Sequence, residues 1–117
     1  MTTYIDVLSR NPNDLGVLVE YARAEALGGR SLSALDLLHS ATAERPTEVR
    51  PMLARIEIYM SRVPPGFVEA EGELREVMRL QPRDPAARFW RDRIHLARRE
   101  YELASDRSPA PAERRQK

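Results

Sequence analysis

Cysteine is absent from the 117 residues, so the chain holds no disulfide, no thiolate metal ligand and no thiol nucleophile. Histidine occurs only twice, at His39 and His95, and the two fall on different predicted helices, where they read as surface residues. Five glycines are too few and too scattered for a phosphate-cradling loop, and 6% aromatic residues argue against a β-sandwich. The first residues, "MTTYIDVLSRNPND", have neither a basic start nor a long apolar run, which excludes a signal peptide or transmembrane anchor there and makes a cytoplasmic location the expectation. A formal net charge of +1 removes any whole-molecule attraction to nucleic acid or anionic lipid. With no constellation spaced for acid-base, nucleophilic or metal chemistry, the chain reads as a non-enzyme with no cofactor and no metal. Glu69, Glu71 and Glu73 lie on different sides of one predicted helix and read as a wet face.

What the chain does have is evenly placed proline. "RNPND", "ERPTE" and "QPRDP" set Pro12, Pro46 and Pro82 at intervals of 34 and 36 residues, and such a period is the mark of a repeat array. Between the prolines the apolar residues keep helical spacing. Leu15, Leu18, Val19, Ala22 and Ala26 share one face of a helix that Asp14 caps and Gly28-Gly29 ends. A second helix starts at Ser31 as N-cap, carries Leu32, Leu35, Leu38 and Thr42, and stops before Pro46. Two helices joined by so short a glycine turn make an αα-hairpin.

The plan recurs. Met52, Ile56 and Tyr59 mark a helix that starts near Pro51, a position that suits proline. "SRVPPG" makes a turn two residues longer, and Phe67, Ala70, Leu74, Val77 and Met78 mark the returning helix. Asp84 caps a third opening helix with Pro85 in its first position, and Trp90, Ile94, Ala97, Tyr101 and Ala104 are expected to face back into the stack. Its other side, with Arg88, Asp92 and His95, is polar, as suits the end of an array. Tyr4, Ile5 and Leu8 suggest the last turns of a returning helix at the N-terminus, giving six helices.

The joint spacing resembles a tetratricopeptide repeat protein over roughly residues 3–104. Leu18, Tyr21, Ala22, Gly29, Ala34, Leu38, Ala41 and Pro46 occupy the pattern in the first full unit, and Met52, Ile56, Tyr59, Ala70, Leu74, Val77 and Pro82 in the second. The family's tryptophan slot holds Leu18 and Met52, and a tyrosine slot holds Glu25. The resemblance implies an all-α, right-handed stack of antiparallel helix hairpins, an α-solenoid with about two full repeats, an N-terminal half-repeat and a C-terminal capping helix. Residues 1–104 would form the repeat domain, and residues 105–117, broken by Pro109 and Pro111, a flexible tail with a basic tip.

Repeats of this type bind an extended peptide or a partner helix in the concave groove lined by the first helix of each unit. The inward slots hold Gly16, Val19, Arg23 and Ala26, then Arg50, Leu53, Glu57 and Met60, then Ala86, Phe89, Arg93 and Leu96. Val19, Leu53 and Phe89 would give apolar anchors beside charges of alternating sign, Arg23, Glu57 and Arg93. The same residues also suit a widened core stripe with a solvated ion pair. The lysine and asparagine with which some family members clamp a C-terminal carboxylate are missing from these slots. The resemblance thus implies an adaptor or scaffold with a protein or peptide partner. Two alternatives stand beside it: an assembly or homo-oligomeric subunit, with self-association expected at the N-terminal end, and single-stranded nucleic-acid binding through the arginines near Phe89 and Trp90.

Overall fold

A computed structural model of the chain describes residues 15–107, and every regular element in that span is a helix. The five are α1 (Leu15–Leu27), α2 (Ser31–Glu44), α3 (Arg50–Met60), α4 (Phe67–Leu80) and α5 (Pro85–Arg107). The expected N-terminal half-unit with Tyr4, Ile5 and Leu8, the Asp14 cap and the tail from Ser108 lie outside the described residues. Among the described residues no helix is long and apolar enough to cross a membrane.

The sequence punctuation produces the turns. Gly29 takes φ +89°, and the Gly29 N–H donates to Ala26 O at 3.1 Å while the Arg30 N–H donates to Glu25 O at 2.8 Å. That bond pair is the Schellman closure, which needs a left-handed residue that glycine supplies without a Cβ clash. Arg30, and not Ser31, is the N-cap of α2; Ser31 is already helical and no side chain caps the helix. Pro51 sits in the first turn of α3, where a missing N–H costs nothing. Asp84 caps α5 as expected, its Oδ1 accepting from the N–H groups of Ala86 at 2.8 Å and Ala87 at 3.3 Å.

Short turns force consecutive helices back along one another, so α1 packs on α2, α3 on α4, and α4 on α5. Between hairpins α3 meets both α1 and α2, and α5 meets α3, whereas no Cα pair of α2 and α4 comes within 8 Å. The odd-numbered helices are therefore close neighbours and the even-numbered ones splay apart. The core is continuous through these layers: Ala22, Ala34, Leu38, Met52, Ile56, Ala70, Val77, Ala87 and Ile94 are buried. Small residues stand where backbones approach, since short side chains permit that approach.

Several expected positions differ. Leu32 opens α2 beside the solvent-facing turn and is exposed, so the buried face of α2 is Ala34, Leu35, Leu38 and Ala41. α5 has 23 residues against the 14 of α4, so its C-terminal turns outrun the helix they were expected to cover. Ile94 is buried and Trp90 half-buried, but Tyr101 and Ala104 are exposed, although the Tyr101 and Phe67 rings meet edge to face with centroids 5.9 Å apart. Arg88, Asp92 and His95 are on the wet side, as expected, and His39 is exposed too. The helix runs on to Arg107, past the expected end at Ala104.

The acidic face of α4 is not simply wet. Glu73 is drawn into a buried pair with Arg55, and Glu71 accepts from Arg98 of α5 at 2.7 Å. Glu25 is also buried; it accepts from Tyr21 Oη at 3.0 Å and pairs with Arg30. The Arg30 guanidinium holds the Glu25 carboxyl below the usual carboxylate range, against the opposing effect of its burial.

Candidate functional site

Because α1, α3 and α5 lie side by side, one face of each contributes to a common open groove of about 490 Å³. Its walls are Gly16, Val19, Glu20 and Arg23 from α1, Arg50, Leu53, Ala54 and Glu57 from α3, and Trp90 from α5. Helical spacing places Val19 and Arg23, and Leu53 and Glu57, one turn apart on the same face, so apolar and charged residues alternate along both walls. A smaller recess of about 140 Å³ continues past Arg23 and Glu57 to Ala26, Leu27, Ile58 and Ser61.

An ion pair spans the groove. Arg23 Nε lies 3.2 Å from Glu57 Oε1, its Nη2 donates to Glu57 Oε2 at 3.3 Å, and its Nη1 stands 3.6 Å from Glu20 on its own helix. Both side chains are nearly half exposed, so the pair contributes little to stability and can open at small cost. Arg50 turns aside to donate to Glu48 at 3.0 Å. Two arginines and two glutamates thus leave the groove without net charge, with one acid and one base on each of the α1 and α3 walls.

Of the sequence-predicted site residues, Val19, Arg23, Arg50, Leu53 and Glu57 come together in this groove. Met60, Phe89 and Arg93 do not line it: Met60 packs against the core, while Phe89 and Arg93 stand exposed on α5. Trp90 takes the place expected for Phe89, with the two rings meeting edge to face at 5.1 Å. The sequence did hold a signal for this. Ala87, Trp90, Ile94 and Ala97 follow the packed face of α5, and Trp90 is the residue of that face large enough to reach its edge. Among the described residues no group of three or more His, Asp or Glu side chains is arranged to hold a metal ion. The groove thus presents apolar side chains and hydrogen-bonding charges from three helices on one surface. Compared with protein-family models, curated proteins and solved structures, the chain matches none of them.

Proposed function

We propose that the chain is a non-catalytic protein-interaction module of the tetratricopeptide type, an α-solenoid whose groove holds an extended peptide or a helix of a partner protein. The observation that carries the reading is the common groove built by one face of α1, α3 and α5. The close approach of the odd-numbered helices and the splaying of α2 from α4 support a curved stack of hairpins with its concave side on α1, α3 and α5. Val19, Leu53 and the Trp90 ring would seat apolar side chains of the ligand, and Glu20, Arg23, Arg50 and Glu57 would pair with its charges. The fitting partner is a segment with spaced apolar anchors and mixed charge.

Trp90 is the chain's single tryptophan, so its emission reports directly on the groove. Peptides selected by display against the intact chain are expected to shift that emission saturably. The double variant Val19→Ser, Leu53→Ser should bind them about tenfold or more weakly with helicity unchanged, since each loses a buried apolar contact of about 1 kcal/mol or more. Peptides that bind both proteins equally, with no change in Trp90 emission, would refute the groove.

A further inference from the structure

Among the described residues the far side of α5 has no packing partner, and it is patterned. Phe89, Leu96 and Leu103 recur at intervals of seven and are 56%, 54% and 45% exposed, so they form one apolar stripe along the helix. It lies opposite the packed face, where Ala87 and Ile94 are buried. Charges border both sides. At 100° per residue Arg93 and Glu100 flank one edge of the stripe, and Asp92 and Arg99 the other. Arg93, Arg99 and Glu100 have no ion-pair partner among the described residues, although opposite charges lie close in sequence; Asp92 meets only its neighbour Arg91, at 3.3 Å.

We propose that this stripe is a self-association surface, and that its occupant is α5 of a second copy of the chain packed antiparallel about Leu96. A twofold axis perpendicular to the helices at Leu96 sets Phe89 against Leu103 of the second copy and Leu96 against its equivalent. The same operation keeps each flank facing its own kind. Arg93 then meets Glu100 of the second copy on one side, and Asp92 meets Arg99 on the other, each contact occurring twice. The stripe is thus complementary to itself in both shape period and charge. Antiparallel packing also opposes the helix dipoles, whereas parallel packing aligns them. The groove takes Trp90 from α5 and none of Phe89, Leu96 and Leu103, so the stripe is not part of its lining.

Sedimentation velocity of the full chain over about 5 to 500 μM is expected to show a reversible monomer-dimer equilibrium. Arg93→Glu alone, or Glu100→Arg alone, places like charges across the axis twice and should weaken the dimer about tenfold. Mixing the two variants should restore it to within about threefold of the parent. In the mixed dimer the introduced carboxylate at position 93 of one chain faces the introduced guanidinium at position 100 of the other, and the symmetry-related contact keeps the parent Arg93–Glu100 pair. Leu96→Asp should abolish association while circular dichroism keeps the parent helicity. A chain that stays monomeric throughout the range, a dimer indifferent to Leu96→Asp, or single variants that the mixture fails to rescue would each overturn the proposal.

Discussion

Arg55 of α3 and Glu73 of α4, eighteen residues apart, form a two-pronged ion pair with Nε to Oε2 at 2.7 Å and Nη2 to Oε1 at 2.6 Å. The remaining nitrogen of the guanidinium, Nη1, donates to Leu38 O at 2.9 Å and Thr42 Oγ1 at 2.8 Å, both on α2. One buried arginine therefore joins three helices, and its fork geometry is what allows it to satisfy all of them. Arg55→Ala strands the Glu73 carboxylate and should cost about 3–5 kcal/mol. The apolar double variant Arg55→Met, Glu73→Leu removes both charges and should return to within about 1 kcal/mol of the parent or exceed it. Urea melts of the three proteins check this.

Core and groove separate in the same kind of measurement. Leu38 is fully buried between α2 and its neighbours, so Leu38→Ala should cost about 2–5 kcal/mol. Arg23 lies in an exposed pair with Glu57, so Arg23→Ala should cost under about 1 kcal/mol. An inversion of that order in denaturant melts would mean that the groove pair is structural.

Glu25 gives the fold an acid-sensitive point. The Arg30 hydrogen bond lowers its carboxyl in the folded chain, so Glu25 contributes stability that is present above the carboxylate range of the unfolded chain and is lost as pH falls through the lower folded value. The parent should melt above Glu25→Gln near pH 7, and the gap between their melting temperatures should close as pH falls from the usual carboxylate range to below it. A constant gap over that range would remove Glu25 from the account.

Gly29 tests the turn between α1 and α2. No heavy atom lies within 4 Å of where its Cβ would stand, so Gly29→Ala meets no clash with neighbours and pays only for φ +89°. The expected loss is about 1 kcal/mol, read by thermal unfolding, with oligomeric state unchanged.

Much of this architecture is legible in the sequence because its punctuation acts locally. Gly28-Gly29 and Asp84 stop and start helices through bonds to residues a few positions away, and Pro46 and Pro82 by lacking the N–H that would continue one, so all can be read without knowing the fold. Arg55 cannot be read in that way. Its partners Leu38, Thr42 and Glu73 come from two other helices, and in the sequence it is one arginine among many. The groove was half legible: spacing put Val19, Arg23, Leu53 and Glu57 on the right faces, but on α5 the packed-face pattern pointed to Trp90 and the repeat slots to Phe89, and the rotation of α5 against α3 decides between them. The exposed stripe of Phe89, Leu96 and Leu103 has helical spacing as good as a core face; only the packing of the opposite side reveals which face is left outside.

The most direct test of the proposed peptide groove is the map of backbone amide resonances that move when a selected peptide is added to the isotope-labelled chain. The account predicts saturable shifts at Gly16, Val19, Glu20 and Arg23 on α1, at Leu53, Ala54 and Glu57 on α3, and at Trp90, with the outward faces of α2 and α4 unmoved. Shifts confined to α2 and α4, or to the α5 stripe with α1 and α3 silent, would contradict it.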